Sequence, residues 1–276
     1  MSDNATSRSP FLAAAIQMIS TPIVAENLAT ARALVHEAAA RGARIVALPE
    51  YFCILGNHER DKVAIREADG VGPIQAFLAE TAARERVWLI GGSVPLAATV
   101  PDKVLNTCLV FNDRGERVAR YDKIHLFGFQ AGTEQYQESR TIAAGSTPVA
   151  FDSPFGRIGL SICYDVRFPE LYRRLAPADL IFVPSAFTAT TGRAHWETLI
   201  RARAIESQAF FIAPAQGGLH PNGRETHGHT LIVDPWGEIL ASTTKGAGVV
   251  VAWIDPGRIA SVRASLPALS HRIFSS

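Results

Sequence analysis

Short apolar runs alternate along this chain with longer segments in which apolar residues recur every three or four positions. The short runs have the length of strands that are buried on both faces, whereas the longer segments are typical of helices with one buried face. The strand-like runs cover residues 11–18, 43–50, 87–95, 179–187 and 209–216. The helical segments cover residues 20–42, 74–86, 169–178 and 195–208. This alternation predicts an α/β fold in which helices lie outside a buried sheet.

Other apolar runs come in pairs that are joined by short turns. Residues 104–127 hold two such runs around an Asp-Arg-Gly turn, and residues 149–163 hold a second pair. Residues 229–241 and 247–256 end with the same strand-like pattern. These pairs predict antiparallel hairpins added to the central strands.

The first helical segment carries its own boundary signals. Thr21 is a candidate N-cap, Pro22 suits the first helical position, and Gly42 is placed to end the helix. The sequence therefore predicts a helix that starts directly after Thr21.

The composition indicates a compact protein with a small-molecule partner. The chain has 276 residues, of which 47% are hydrophobic and 19% are charged, enough for a large core. Because no polar linker interrupts the middle of the chain, we expect residues 1–276 to form a single domain. The 27 basic and 26 acidic residues give a net charge of +1, which offers no electrostatic footprint for nucleic acid or an anionic membrane.

Three widely spaced cysteines, Cys53, Cys108 and Cys163, form no C-x-x-C pair. An odd number without close spacing supports neither a disulfide framework nor a cysteine-rich zinc site. A reducing compartment suits such a set, and the apolar run at 11–18 is too short to span a bilayer. We therefore expect a cytoplasmic protein.

Three reactive side chains follow strand-like runs: Glu50, Lys123 and Cys163. Taken singly, each has an ordinary explanation as a solvated carboxylate, a surface lysine and a buried thiol. Together they suit one reaction, because a thiol needs a base to become a nucleophile and a cation stabilises the oxyanion that forms on attack. This set predicts nucleophilic catalysis by Cys163.

Other nucleophile and base assignments fit less well. The stretch "GLSIC" lacks the final glycine of a G-x-S-x-G serine elbow, which argues against Ser161 as the nucleophile. His125 or His195 would be the base of a papain-like cysteine enzyme, but neither carries the local signature of that class. We expect His195 to cap or brace a helix.

His220, His227 and His229 cluster in a glycine-containing stretch that predicts a flexible loop. Without a helical i, i+4 pair or a set of carboxylates, a metal site is the weaker explanation, and we expect none. No glycine-rich phosphate loop or dinucleotide fingerprint follows a strand, so ATP and NAD are not implied and no cofactor is expected.

The reactive residues also lie in longer motifs. The stretches "ALPE" with Glu50, "YDKIHLF" with Lys123, "YQES" with Glu138 and "GLSICYDVRFPELYR" with Cys163 resemble the signatures of the nitrilase superfamily of carbon-nitrogen hydrolases. The likeness extends from about residue 11 to 270, with all motifs in family order.

That resemblance implies a four-layer αββα sandwich that assembles into homodimers or larger homo-oligomers. It also implies that Glu50 is the general base, Lys123 the cation facing the tetrahedral intermediate and Cys163 the nucleophile. Glu138 would hold Lys123 and help to orient the substrate, and the backbone N–H of Tyr164 would complete the oxyanion hole. A catalytically silent binding member of the fold is the non-enzymatic alternative.

The expected reaction hydrolyses a small carboxamide to a carboxylate and ammonia. Among superfamily members, the loops resemble most closely the amidases that act on deaminated glutathione. The alternatives are an ω-amidase acting on α-ketoglutaramate, then an N-carbamoyl amino acid hydrolase. Ser185 and Thr188 stand where ω-amidases tend to have glycine and asparagine, which favours the first assignment.

Arg167 lies four residues after Cys163 and is the candidate for binding a substrate carboxylate. Its guanidinium would either reach the pocket or brace the loop through Asp165 or Glu170. Thr190 and Thr191 are further candidate substrate contacts, with Arg193 beside them.

Overall fold

The computed structural model describes residues 8–132 and 134–274, and its strands form two large sheets. Eight described strands make the first sheet: β1 (Phe11–Gln17), β2 (Ala43–Ala47), β3 (Trp88–Ile90), β4 (Val94–Ala97), β5 (Val104–Phe111), β6 (Arg117–Asp122), β9 (Ile142–Ala143) and β18 (Gly248–Ile254). Its main path runs β18-β1-β2-β3-β5-β4, while β6 and β9 also pair with β5. Strand β2 is parallel to both β1 and β3.

Six described strands make the second sheet, in the order β10-β11-β12-β13-β16-β17. Their bounds are β10 (Val149–Ser153), β11 (Gly156–Leu160), β12 (Leu180–Phe182), β13 (Phe210–Ala213), β16 (Leu231–Val233) and β17 (Ile239–Ser242). Strands β11, β12 and β13 are parallel, and the outer strands pair antiparallel to their neighbours. The hairpins predicted over 104–127 and 149–163 are thereby confirmed as the pairs β5–β6 and β10–β11.

Two small hairpins, six α-helices and two 3₁₀ helices lie outside the two large sheets in the described part of the chain. The hairpins join β7 (Gly128–Ala131) to β8 (Glu134–Gln137) and β14 (Gly217–Leu219) to β15 (Glu225–His227). The helices are α1 (Val24–Ala40), α2 (Asp61–Ala64), α3 (Pro73–Glu85), α4 (Pro169–Leu175), α5 (Ala189–Ser207) and α6 (Pro256–Ser265). Within the described ranges, no helix combines the length and apolar character needed to cross a bilayer.

Two apolar clusters show how the layers are stacked. On β1, Ala14 belongs to the cluster that contains Val35 of α1 and Phe77 of α3. Its neighbour Ala13 belongs to the cluster that contains Ile158 of the second sheet. Because successive strand residues point to opposite faces, one face of the first sheet meets helices and the other meets the second sheet.

Helices α4 and α5 form the fourth layer. The ring of Tyr172 in α4 lies 5.6 Å from the ring of Phe211 in β13, and Ile200 of α5 is buried in the same cluster. The order of the layers is therefore helix, sheet, sheet, helix, and the predicted αββα sandwich is confirmed.

The start of α1 differs from the prediction. The helix begins at Val24 because the Thr21 hydroxyl accepts a hydrogen bond from the Ile23 N–H at 3.0 Å, which makes a local turn ahead of the helix. The end is as predicted: Gly42 has φ +89°, a conformation that costs glycine little, and its N–H donates to the Ala39 carbonyl at 2.9 Å.

The run at 87–95 is two strands instead of one. Gly92 has φ +60°, and a Cβ atom there would lie 2.2 Å from the Pro49 carbonyl oxygen. Only glycine permits this close turn, which separates β3 from β4 and leaves room for the segment that carries Glu50.

Both sheets bring polar residues to the same end of the sandwich. Glu50 follows β2, whereas Cys163 follows β11, and each of these strands lies parallel to a neighbour in its sheet. Reactive groups commonly sit beyond the carboxyl ends of parallel strands, where a rigid strand precedes an accessible loop.

Candidate active site

Cys163 opens a 3₁₀ helix, Cys163–Arg167, directly beyond β11. Its φ of +49° lies in the left-handed region that residues with a Cβ atom rarely adopt, which indicates local strain. The Cys163 N–H donates to the Pro184 carbonyl at 2.9 Å, so the segment after β12 fixes the turn. The following residue, Tyr164, has its N–H at the first turn of this helix, where backbone donors lack intrahelical acceptors.

The side chain of Asp165 stabilises this turn through hydrogen bonds. Its fully buried carboxylate accepts hydrogen bonds from the Ile162 N–H at 2.8 Å and from the Tyr121 hydroxyl at 2.7 Å. It also accepts from the His125 N–H at 3.1 Å and lies 2.7 Å from His125 Nδ1. Asp165 therefore links the turn at Cys163 to the end of β6, which explains why it does not brace Arg167.

Lys123 lies between two carboxylates. Its Nζ atom donates to Glu50 Oε1 at 2.8 Å and to the Glu138 oxygens at 3.0 and 2.8 Å, and its side chain is 0% exposed. Asn106 donates a further hydrogen bond to Glu50 Oε1 at 2.9 Å. The structure thus brings together Glu50, Lys123 and Glu138, which are far apart in sequence, in one buried ion cluster.

The electrostatics of the cluster differ for its two acids. Burial raises the pKa of Glu50, and Glu138 raises it further, against the lowering effect of Lys123. Burial also acts on Glu138, but the charge and hydrogen bonds of Lys123 outweigh it and lower the pKa of Glu138. Burial disfavours charge on Lys123, yet the attraction of Glu138 and Glu50 raises its pKa. Glu50 is accordingly the better proton acceptor of the two carboxylates.

The Cys163 thiol faces this cluster. Burial raises its pKa well above the ordinary value, and the charge of Glu50 raises it further, while Lys123 and a hydrogen bond with the Ala186 backbone oppose this. The nearby Cys163 thiol in turn opposes the rise in the pKa of Glu50. A neutral thiol beside a buried carboxylate can pass its proton to that carboxylate when a substrate carbonyl arrives, so the arrangement suits nucleophilic catalysis.

Tyr51 is a site residue that the sequence did not reveal. Its hydroxyl donates to Glu138 Oε1 at 2.6 Å, and the Phe127 N–H donates to Glu138 Oε2 at 2.7 Å. Tyr51 has φ +56°, and its N–H donates to Ser93 Oγ at 2.9 Å. The signal available in the sequence was its position directly after Glu50.

A narrow cavity of about 20 Å³ lies against Cys163. Its lining includes Glu50, Glu138, Cys163, Tyr164, Arg167, Thr188 and Thr191. Thr191 is buried there, whereas Thr190 is exposed and lies outside the lining. Thr188, which was noted only as a departure from ω-amidases, caps α5 by accepting from the Thr191 N–H at 3.2 Å. On α5, the neighbouring positions 190 and 191 point in different directions, which explains the difference.

Arg167 reaches the cavity without either of its expected acidic partners. Its guanidinium lies 5.2 Å from the centre of the Phe187 ring and 5.8 Å from that of Tyr164. One terminal nitrogen lies 3.2 Å from His195 Nδ1. His195 therefore braces Arg167, and the aromatic rings hold the guanidinium at the cavity wall.

The competing nucleophile and metal assignments find no support in the geometry. Ser161 is buried, where its hydroxyl donates to the Phe182 carbonyl at 3.1 Å and accepts from Tyr172 at 3.0 Å. His220 lies 2.9 Å from the Ser20 carbonyl and 2.7 Å from Thr226 Oγ1. Within residues 8–132 and 134–274, no group of three or more His, Cys, Asp or Glu side chains is arranged so that it could hold a metal ion.

The histidine-rich stretch is also more ordered than its glycines suggested. It forms the hairpin β14–β15, and the rings of His227 and His229 stack at 4.2 Å. All three cysteines are free and buried.

Comparisons with known proteins agree with this geometry. Residues 12–264 match the family described as carbon-nitrogen hydrolase. The chain is 46% identical over 271 residues to a deaminated glutathione amidase from Synechocystis, covering 96% of this chain and 99% of that protein. It is 38% identical over 252 residues to a chloroplastic omega-amidase from Arabidopsis thaliana, covering 89% of this chain and 68% of that protein.

The fold is shared with solved structures. Saccharomyces cerevisiae Nit3, a member of branch 10 of the nitrilase superfamily, superposes with a TM-score of 0.86 at 29% identity, covering 96% of this chain and 97% of that one. These matches cover nearly the whole chain, whereas a shared motif would cover only a short segment. This chain belongs to the carbon-nitrogen hydrolase family, within the nitrilase superfamily that its sequence resembles.

Proposed function

We propose that this chain is an amidase that hydrolyses α-keto acid amides, with deaminated glutathione as its substrate and Cys163 as its nucleophile. The observation that carries the proposal is the buried Glu50–Lys123–Glu138 cluster beside the Cys163 thiol. Buried ionisable groups with opposed pKa shifts are typical of catalytic sites.

The proposed reaction has two steps. Glu50 accepts the proton of the Cys163 thiol, and the thiolate attacks the amide carbonyl, while Lys123 and the N–H of Tyr164 stabilise the oxyanion. Glu50 then donates the proton to the amine, the C–N bond breaks, and a thioester remains on Cys163. A water molecule gives a proton to Glu50 and attacks the thioester carbonyl. The C–S bond then breaks, the carboxylic acid leaves, and Glu50 returns the proton to the Cys163 sulfur.

Glu138 positions Lys123 in this scheme. It accepts two contacts from the Lys123 ammonium and is itself held by Tyr51 and Phe127. Keeping the ammonium in place before the reaction avoids the cost of reorganising it as charge develops.

The position of Arg167 favours a substrate that carries an α-keto carboxylate on its acyl portion. Its guanidinium lines the narrow cavity together with Thr191, and a planar guanidinium binds carboxylates through two parallel hydrogen bonds. The 46% identity to a deaminated glutathione amidase supports the same substrate. With deaminated glutathione the released amine is cysteinylglycine, so ammonia would appear only from an unsubstituted amide.

The second candidate is ω-amidase activity on α-ketoglutaramate, which the 38% identity to an omega-amidase favours. The two substrates share the same acyl group and differ only in the amine. A measurement that compares amines is therefore the one that separates them.

The test is formation of α-ketoglutarate from deaminated glutathione and from α-ketoglutaramate, and release of ammonia from a carbamoyl amino acid and from a simple nitrile. We expect the highest kcat/KM on deaminated glutathione and no product from any of them with Cys163→Ala. A higher kcat/KM on α-ketoglutaramate would assign ω-amidase activity instead. Turnover by Cys163→Ala would contradict the mechanism.

We further propose that the chain forms a single catalytic domain and works as a homodimer or larger homo-oligomer in the cytoplasm. Exposed tryptophans support assembly, since Trp236 and Trp253 are 55% and 63% exposed. The three free cysteines also suit the cytoplasm, where thiols are kept reduced. Light scattering on the purified protein tests the assembly, and a monomer at micromolar concentration would contradict it.

A further inference from the structure

A second cavity, of about 380 Å³, opens next to the narrow cavity and has no part in the mechanism above. We call it the vestibule. The two cavities share four lining residues, which are Tyr51, Phe127, Glu138 and Arg224. The narrow cavity is much the smaller of the two, whereas the vestibule falls in the range of small-molecule sites, about 300–1,000 Å³. The vestibule therefore has the space that the narrow cavity lacks.

Some charged groups that line the vestibule have hydrogen-bond or ion-pair partners, and one does not have them for all of its donors. Lys62 donates to Glu59 at 2.6 Å, and Glu138 is paired with Lys123. Arg224 differs, because its Nε atom is buried without a hydrogen-bond partner in the part of the chain that the structure describes. Arg224 is therefore a cation with unused donors at the junction of the two cavities.

The remaining contacts of Arg224 do not neutralise its charge. One terminal nitrogen lies 3.5 Å from the Ala186 carbonyl oxygen, at the outer limit of a hydrogen bond. The guanidinium lies 5.0 Å from the centre of the Tyr136 ring, so an aromatic face supports it. An anion in the vestibule would supply the missing acceptor.

The backbone around Arg224 is already fixed. The Arg224 N–H donates to Asn222 Oδ1 at 3.0 Å, and its carbonyl accepts from the His220 N–H at 2.9 Å. The Asn222 side chain in turn donates to the Gly56 carbonyl at 2.7 Å and to the Leu55 carbonyl at 3.2 Å. Both of those residues line the vestibule, so little ordering remains to be done when a ligand binds.

We infer that the vestibule is the subsite for the amine portion of the substrate, and that Arg224 binds a carboxylate on that portion. The inference rests on the proposed function, because it divides the substrate at the bond that Cys163 attacks. Arg167 lines only the narrow cavity, whereas Arg224 lines both cavities. An acyl group with its own carboxylate would contact Arg167, and a peptide-like amine would place its terminal carboxylate against Arg224 in the vestibule. The substrate class is thus an N-substituted amide whose amine carries an anionic end.

Binding to the Cys163→Ala enzyme, measured by titration calorimetry, tests this without turnover. Three ligands share one acyl group: deaminated glutathione, the same molecule with its terminal carboxylate converted to a carboxamide, and α-ketoglutaramate. We expect Arg224→Gln to weaken binding of deaminated glutathione by about ten- to a hundredfold, the loss typical of a hydrogen-bonded charge pair. The other two ligands should change by less than about threefold.

Matched variants separate recognition from structure. Arg174→Gln removes an exposed arginine of α4 and should leave all three affinities unchanged. Arg224→Lys keeps the charge and should recover part of the affinity for deaminated glutathione, which a general loss of structure would not allow. Equal weakening of all three ligands by Arg224→Gln, or no weakening of deaminated glutathione, would overturn the inference.

The calorimetric test of Arg224 and the hydrolysis test of the proposed substrate can fail separately. Wild-type enzyme that hydrolyses α-ketoglutaramate but not deaminated glutathione would contradict the proposed substrate. The calorimetric comparison would still decide whether Arg224 binds the amine-side carboxylate.

Discussion

Replacing Glu138 by glutamine should shift the pH dependence of catalysis through a residue that need not touch the substrate. Glu138 and Glu50 both lie 2.8 Å from the same Lys123 nitrogen, so their nearest oxygens are within about 6 Å of each other. At an effective dielectric constant of about 20, two like charges at about 6 Å repel by about 3 kcal/mol. This repulsion contributes to the raised pKa of Glu50.

The sign of the effect follows from that repulsion. Glutamine carries no charge, so Glu138→Gln lowers the pKa of Glu50, and the base stays ionised to lower pH. The acid limb of kcat/KM should therefore move to lower pH. The rate at neutral pH should fall about tenfold or more, because Lys123 loses one carboxylate and an amide N–H₂ group faces donors that the carboxylate oxygens satisfied.

The assay is kcat/KM on α-ketoglutaramate from about pH 4 to pH 9, for wild type, Glu138→Gln and Tyr51→Phe. Tyr51→Phe is the matched control, because it removes the 2.6 Å hydrogen bond to Glu138 but keeps the charge of that carboxylate. Its acid limb should stay close to that of wild type. If the acid limb of Glu138→Gln does not move, or moves to higher pH, then the electrostatic account of Glu50 is wrong.

Three further variants test other parts of the site. Lys123→Met should lower kcat by a hundredfold or more, since losing one oxyanion donor costs about 3 kcal/mol; a steady-state kcat within tenfold of wild type would exclude that role. Arg167→Lys should lower kcat/KM for α-ketoglutaramate by about ten- to a hundredfold and spare an uncharged amide of similar size, whereas equal losses would make Arg167 a loop brace. Asp165→Asn should lower the unfolding free energy by about 3 kcal/mol in denaturant titration, because its carboxylate accepts several buried hydrogen bonds, and an unchanged midpoint would contradict this.

The central strands and long helices could be predicted because their apolar patterns are strong and each element's pattern is local. The predicted helix over 74–86 is Pro73–Glu85 in the structure, and both predicted hairpins form. The end helix α6 was missed although Asp255 and Pro256 provide a start signal, with the Asp255 side chain accepting from Gly257 N–H at 2.9 Å. Its apolar pattern is short and directly follows the apolar run of β18, so the sequence does not mark it clearly as a separate helix.

The site was predictable only as far as sequence motifs mark it. Glu50, Lys123, Glu138 and Cys163 stand in recognisable motifs, and the structure brings them together. The hydrogen bonds of Tyr51 and Asp165 depend on the direction of their side chains and on the backbone conformation of neighbouring turns. Neither of these can be predicted from the residue type. Arg224 lies in a hairpin whose glycines suggested a flexible loop, so its place beside Cys163 depends on contacts between segments far apart in the chain.

The mass of the enzyme during turnover shows directly whether Cys163 forms a thioester with the substrate. Acid quench of wild type mixed with deaminated glutathione, followed by intact-mass spectrometry and peptide mapping, should reveal one α-ketoglutaryl group attached to Cys163. Cys53 and Cys108 provide internal controls, because both are fully buried and neither lines the cavity. We expect an adduct on Cys163 that disappears as substrate is consumed and that is absent from Cys163→Ala. Product formation by Cys163→Ala at the wild-type rate, or an adduct confined to Cys53 or Cys108, would contradict the thioester mechanism.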